Sequence, residues 1–322
     1  MVTTHISSGK SFTPPMRDPH FLAELAVDAL VFEAHLTPKP GLVDSAGSGA
    51  HSDMDIELLL TSAETLRSTF VELALAGRYG VLGSNLRSEV GRIGREGEAR
   101  VLDITNGVNT HRGALWALGL LVTSAALGGG DAAMVTGVAA RLAALPDPST
   151  SNLSSDYVTI SNGERVRRIY QIGGARAEAK AGFPHAIAIA LPVYQSRLAV
   201  HGPHLAAIDA LLAVMASLQD TCVVHRGGLS ALALVREGVR EVLLAGGSGT
   251  TSGMKKLRAF DQTLTIAGIS PGGSADLLAA GLFLEALSSG GHSWRSCIKM
   301  HRKSLHPRSS QPTPLHSLLM KG

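Results

Sequence analysis

Apolar positions along this chain recur at helical spacing and almost nowhere with the alternation of a strand. After Pro19, the residues Leu22, Leu25, Ala29, Phe32 and Leu36 step by three and four. That spacing predicts an amphipathic helix, which Thr37-Pro38-Lys39-Pro40 must end, because two prolines cannot continue it. A second helix is predicted from about Ile56 to Ala76, and an Ala/Val/Leu helix over about 131–144. The stretch from Ala114 to Leu127 is apolar on every side and has to be buried. The runs Ala186 to Val193 and Leu205 to Leu218 read as core helices, and a helix of Leu, Ala and Phe follows Ser270-Pro271-Gly272-Gly273 to about residue 288. Tyr157-Val158-Thr159-Ile160 is the best strand candidate and is too short to anchor a sheet. The expected fold is all-α: a single globular multi-helix domain over 19–300, with a disordered lead at 1–18 and a basic, polar tail at 301–322. Pro146 to Ser155 reads as a surface loop and hinge.

Composition narrows the class. Hydrophobic residues make up 45% and charged residues 17%, enough apolar material for one large core. The 29 Lys and Arg against 26 Asp and Glu leave a net charge of +3. No basic run concentrates in the body, which argues against nucleic-acid binding. Two cysteines, Cys222 and Cys297, supply neither a disulfide framework nor a metal-ligand pair; they read as small buried residues in a reducing compartment. Ala114 to Leu127 is interrupted by Gly119, Thr123 and Ser124 and falls short of the ~20 residues of a membrane span. Met1 to Pro19 lacks the apolar region of a secretory signal. The expectation is a soluble, cytoplasmic protein.

The chemistry sits in polar knots at the ends of these apolar helices. The densest is Thr105-Asn106-Gly107-Val108-Asn109-Thr110-His111-Arg112-Gly113, which runs straight into the buried stretch. A helix N-terminus with amides, hydroxyls, an imidazole and a guanidinium suits an anion such as phosphate. Asn109 or Thr110 alone is equally well read as a helix cap. Glu33 lies at the edge of the first apolar stripe, a partly desolvated carboxylate suited to act as a general base. Lys39 and Asp44 follow in the proline turn, and His51-Ser52-Asp53-Met54-Asp55 precedes the second helix, where Asp53 and Asp55 also read as caps. Gly91-Arg92-Ile93-Gly94-Arg95-Glu96-Gly97-Glu98 has the look of a phosphate loop, but no strand precedes it. In Gly173-Gly174-Ala175-Arg176-Ala177-Glu178-Ala179-Lys180, small residues alternate with charges, either at a ligand or at a solvated helix end. Asp220, His225 and Arg226 share another helix end. Gly272, Gly273 and Ser274 form a tight loop whose amides suit an anion, with Asp276 in the first turns as a ligand or a dipole partner. Carboxylates without clustered cysteine suit Mg²⁺, and arginines with amides suit phosphate. The residues together suggest a Mg²⁺-dependent enzyme acting on a polyphosphorylated nucleotide.

In this order the knots resemble the triphosphoribosyl-dephospho-CoA synthase family. The segments that carry the likeness are Leu36 to Asp44, Gly49 to Asp55, Asn106 to Gly113, Gly173 to Glu178, Asp220 with His225-Arg226-Gly227-Gly228, and Ser270 to Asp276, spanning about residues 20 to 290. Gly91 to Glu98 and Ala114 to Leu121 look most like the malonate decarboxylase branch, with the citrate lyase branch as the runner-up. The short Ala-rich stretch after Gly128 departs from the pattern at a surface position. The resemblance implies joining of ATP to 3′-dephospho-CoA with release of adenine, giving 2′-(5″-triphosphoribosyl)-3′-dephospho-CoA. The product would pass to an enzyme that loads a carrier-protein subunit, and a homodimer is allowed for. The resemblance and the knots together give Glu33, Glu178 and Asp220 as catalytic candidates and Asp44, Asp53, Asp55 and Asp276 for Mg²⁺. They give Lys39, Asn106, Asn109, Thr110, His111, Arg112, Arg176, Lys180, His225, Arg226, Gly272, Gly273 and Ser274 for substrate. Replacement of a β-linked base by an α-linked ribose points to one inverting displacement through an oxocarbenium-like transition state. Two other classes are a Mg²⁺-dependent N-glycosidase that uses water instead of the CoA hydroxyl, and a helical scaffold.

Overall fold

The computed structural model describes residues 18–147, 161–289 and 294–298. The predicted lead and tail, the Tyr157 to Ile160 strand candidate and most of the Pro146 to Ser155 loop lie outside the described residues. In chain order the helices are α1 (Pro19–His35), α2 (Ile56–Tyr79), α3 (Ser84–Ile104), α4 (Arg112–Gly128), α5 (Ala132–Ala144), α6 (Asn162–Tyr170) and α7 (Gly174–Lys180). A π-helical turn, His185–Ala190, then runs into α8 (Leu191–Ser217), followed by α9 (Thr221–Leu244), α10 (Thr251–Ile266) and α11 (Gly272–Ser289). Among the described residues there is no strand, only an isolated bridge between Asp44 and Gly47. The fold is all-α, as the periodicity requires.

Three helices with no polar face form the centre. Between Leu22 and Ala34 of α1 only Glu24 escapes burial. In α4 burial is unbroken from Ala117 to Ala126, and in α11 from Leu277 to Leu287. Helices apolar all round are stable only inside others, and these three pack on one another while α2, α3, α5, α8 and α9 cover them. Caps start the outer elements: Asp55 accepts from Leu58 N–H at 2.9 Å, Asp131 from Met134 N–H at 2.9 Å and Thr250 from Gly253 N–H at 3.0 Å. Behind α1, Trp294 stacks on Phe32 with centroids 5.4 Å apart and donates to Glu285 Oε2 at 2.8 Å.

The structure adds what periodicity did not show. The glycine-rich stretch Gly91 to Glu98 is no loop; it is the middle of α3. Gly91 and Gly97 serve close packing, and a Cβ on Gly97 would stand 2.5 Å from Thr69 Cγ2 of α2. On the outer face, Arg92 bridges Glu89 and Glu96 at 2.6 Å each, pairs that support an exposed helix. The apolar runs after Ala186 join into His185–Ser217, long and apolar enough by composition to cross a membrane. Half of its most apolar window is nevertheless buried in the bundle, and Gly202, at φ 73° and ψ 172° before Pro203, kinks it. The expectation of two buried cysteines fails at Cys222, which is exposed in the first turn of α9; Cys297 is half-buried.

Candidate active site

The C-terminus of α1 and the N-termini of α4, α9 and α11 come together, each delivering one polar knot. The α11 knot meets α4 at its first turn. His111, at the N-cap of α4, makes no side-chain cap, and neither Asn109 nor Thr110 takes that role. Instead the Asp276 carboxylate of α11 lies against this helix start from outside, where the Ala114 N–H favours its charged form. Only glycine at 113 permits this, because a Cβ there would stand 2.0 Å from Asp276 Oδ2. Burial pushes the Asp276 carboxyl well above the usual range, and the Asp220 and Glu33 carboxylates push the same way. Three carboxylates from three helices therefore share one neighbourhood.

Asp220 fastens two of those helices. As N-cap of α9 it accepts from Cys222 N–H at 2.9 Å; it also accepts from Ser274 N–H at 2.8 Å, Ser274 Oγ at 2.9 Å and Gly273 N–H at 3.3 Å. The amide cradle expected of Gly272, Gly273 and Ser274 is thus closed at Gly273 and Ser274 by a carboxylate of the chain itself. Burial raises the Asp220 pKa even so, and these hydrogen bonds only partly offset it.

Glu33 is not a lone acid. Lys39, 1% exposed, donates from Nζ to Glu33 Oε1 at 2.7 Å. Two buried charges at that distance neutralise each other, and both sit where the proline turn folds back over α1. Asp44 shapes that turn, taking Lys39 N–H at 3.1 Å on Oδ2 and Ala46 N–H at 2.7 Å with Gly47 N–H at 3.1 Å on Oδ1. His111 Nδ1 lies 2.7 Å from Ser62 Oγ, which is 2.5 Å from Thr110 Oγ1. Burial, helped by the Lys39 charge, lowers the His111 pKa to about 4, so the ring is neutral at physiological pH.

The rim is more open. His51 Nε2 meets Ser270 Oγ at 2.8 Å, and its Nδ1 lies 3.3 Å from the exposed Asp53. Arg226 closes over the same ring at 3.2 Å and donates to the Ala50 and Gly268 carbonyls. Asp55 is exposed and caps α2. Arg112 is exposed and paired with Glu98 of α3. Asn106, at φ 52°, forms the left-handed turn after α3 with Gly107, a helix-ending arrangement, and Asn109 is exposed. Glu178 spends both oxygens on His185, at 2.8 Å to its N–H and 2.8 Å to Nδ1, opening the π-helical turn. Arg176, Lys180 and His225 are exposed. Two shallow hollows, on α8–α9 and on α10, touch none of these carboxylates.

The comparisons bear directly on this convergence. The family model for ATP:dephospho-CoA triphosphoribosyl transferase matches residues 19–295, including all of the converging termini. The chain belongs to this family. It is 50% identical over 281 residues to a probable 2-(5″-triphosphoribosyl)-3′-dephosphocoenzyme-A synthase of Pseudomonas paraeruginosa, covering 86% of this chain and 94% of that protein. A relative of the same name from Azotobacter vinelandii is 51% identical over 269 residues, 82% of this chain and 90% of its own length. A third, from Pseudomonas syringae pv. syringae, is 49% identical over 268 residues, covering 83% and 91%. No solved structure matches the chain. The transferase is thus an enzyme whose acid centre is built by helix ends far apart in sequence.

Among the described residues of this transferase, no three His, Cys, Asp or Glu side chains are placed to hold a metal ion by themselves. The donor chemistry suits Mg²⁺ in its usual nucleotide-bound form, in which one or two carboxylates join phosphate oxygens and waters. Asp44 has its oxygens committed to backbone amides, whereas Asp53 and Asp55 are open to solvent. Sequence reasoning passed over Ser62, Ser270 and His51 as site residues. His51 stood within a motif it had singled out, while nothing local marks Ser62, whose partner lies 49 residues away.

Proposed function

We propose that this chain transfers the triphosphoribosyl group of ATP to the 2′-hydroxyl of 3′-dephospho-CoA, releasing adenine. Family membership supports the reaction, and the observation that carries its placement is Asp276 held against Gly113 between two other carboxylates. A general base works best with a pKa near the operating pH, and Asp276 is displaced in that direction. Glu33 is ion-paired with Lys39, Asp220 is held by four donors and Glu178 by His185, whereas among the described residues no side chain donates to Asp276. In the step, the 2′-hydroxyl gives its proton to Asp276 as its oxygen bonds to C1″. The C1″–N9 bond breaks and its electron pair leaves with adenine, which takes up a proton. The negative charge around Asp276 and Asp220 also stabilises the oxocarbenium character that develops at C1″.

Mg²⁺, when bound with ATP, would lie against Asp53 and Asp55 and neutralise phosphate charge. Neutral His111, fixed by Ser62, is suited to hydrogen-bond a hydroxyl of the ribose or the CoA moiety. The product serves as precursor for a carrier-protein prosthetic group, and the likeness at Gly91 to Glu98 and Ala114 to Leu121 favours malonate decarboxylase over citrate lyase. The work is done in the cytosol. Mass analysis of a reaction with ATP and 3′-dephospho-CoA tests the proposal: one product should carry both substrates less adenine, and a 2′-deoxy analogue should give none. The joined product formed from the 2′-deoxy analogue would overturn it.

A further inference from the structure

Beside the acid centre, on the flank formed by α3, α4 and α7, lies a group of cations that the reading above does not use. Arg87 of α3 is 6% exposed, yet among the described residues its Nε and Nη1 have no hydrogen-bond acceptor. Its one close carboxylate among the described residues, Asp147, stands at 3.4 Å and is held more tightly by Arg95, at 2.8 Å. The guanidinium lies over the Trp116 ring, 5.5 Å from its centroid. Trp116 donates to the Ala175 carbonyl at 3.2 Å, which brings the neighbouring Arg176 to the same place. Burial lowers the Arg87 pKa, Asp147 opposes that, and the Arg176 and Arg95 charges add to the lowering. Arg87 and Arg95 thus share one carboxylate, and the Arg176 charge lies close enough to act on Arg87.

The packing holds this arrangement open. A Cβ on Gly91 would stand 2.3 Å from Asp147 Oδ2 and 3.1 Å from Arg87 Nη1, so glycine there lets both side chains lie against α3. A buried guanidinium without acceptors is costly, and its fork geometry suits phosphate oxygens. Trp116 follows Gly113 by three residues on α4, on the same side and about one turn on. An anion at Arg87 would therefore lie next to the carboxylates around Asp276.

We propose that Arg87, with Arg176 and Arg95, binds a phosphate chain of a substrate, while Trp116 backs the Arg87 guanidinium. The inference rests on the triphosphoribosyl-transfer reading, because that reaction supplies two candidate sources, the triphosphate of ATP and the diphosphate of dephospho-CoA. If ATP is the source, its ribose C1″ and its phosphates would then span the acid centre and the arginines.

Calorimetric titration of the full chain with inorganic triphosphate, ATP and 3′-dephospho-CoA tests it, using wild type, Arg87→Met and Arg176→Ala. Arg87→Met keeps the packing over Trp116 and removes the charge; Arg176 is exposed, so its replacement leaves folding intact. Both variants should bind triphosphate at least about tenfold more weakly. Whichever nucleotide loses affinity by the same factor supplies the phosphates. The Tm of unliganded Arg87→Met should equal or exceed wild type, since two buried donors without acceptors have gone while Arg95 still pairs Asp147. A fall in Tm with unchanged affinity would make Arg87 a structural partner of Asp147 and overturn the proposal, as would unaltered affinity for all three ligands in Arg176→Ala. Adenine release by wild type, measured separately, reports on the transfer reaction: its presence alongside unaltered anion binding sinks this inference alone.

Discussion

The Asp276 carboxylate occupies the space that a side chain at residue 113 would fill, with Oδ2 2.0 Å from the ideal Cβ position. The two residues come from different helices, and their contact fixes the proposed base at the N-terminus of α4. Gly113→Ala should push Asp276 aside while leaving both helices formed. Overpacking of this kind costs about 1–3 kcal/mol, so the variant should stay helical by circular dichroism with a lowered Tm. Its turnover should fall about 10²-fold or more, the usual worth of a positioned base. Wild-type turnover in Gly113→Ala would remove Asp276 from the mechanism.

The raised pKa of Asp276 has a sign that can be tested. A carboxyl with its folded pKa above the unfolded value stabilises the fold below the unfolded pKa, and that stabilisation is lost as pH rises through the folded pKa. Asp276→Asn does not titrate, so its Tm relative to wild type should improve from strongly acidic to neutral pH. The wild-type kcat/KM profile should also carry an acid limb above the ordinary carboxyl range, because the base must be ionised to act. A Tm difference that stays flat with pH would contradict the assignment.

His111 titrates in the opposite sense. Its folded pKa of about 4 lies below the ordinary 6.5, so the neutral ring contributes stability above 6.5 that is lost as pH falls towards 4. The interval amounts to about 3 kcal/mol at its acid end. His111→Gln should be less stable than wild type at pH 7 and should lose less between pH 6.5 and 4, measured by urea unfolding at each pH. Parallel curves would show that His111 is not the group that senses acid there.

The pair Lys39 and Glu33 is buried at 2.7 Å, so breaking it from one side leaves a bare charge. Lys39→Met should cost about 3–5 kcal/mol, and adding Glu33→Gln should recover much of that. Glu33→Gln alone tests the sequence expectation of a base at this position. If both substrates bind normally and turnover holds, Glu33 is a partner for Lys39 only.

Much of this was legible in the chain. Helical spacing gave α1, apolar and helix-favouring runs gave α2, α4, α5 and α11, and charges at the mouths of apolar helices located the knots that converge. What the sequence withheld is who meets whom. Asp220 reaches Ser274 across 54 residues, and Ser62 reaches His111 across 49, neither of which any local pattern encodes. Arg112, expected as a phosphate ligand from its place at a helix start, is exposed and pairs with Glu98 of α3, a partner no local pattern encodes. The amides expected to cradle an anion at Gly273 and Ser274 do so, but the anion is Asp220. Helix α3 was hidden by Gly91, Gly94 and Gly97, because glycine lowers intrinsic helicity and close packing at Gly91 and Gly97 more than offsets it.

Adenine release from ATP, followed with and without 3′-dephospho-CoA, tests the central claim most directly. With both substrates wild type should release adenine in step with the joined product, and Asp276→Asn should release it about 10²-fold or more slowly. With ATP alone, wild type should release adenine only at a small fraction of that rate. Equal release with and without dephospho-CoA would identify a hydrolase that uses water, and no release under either condition would contradict the assigned chemistry altogether.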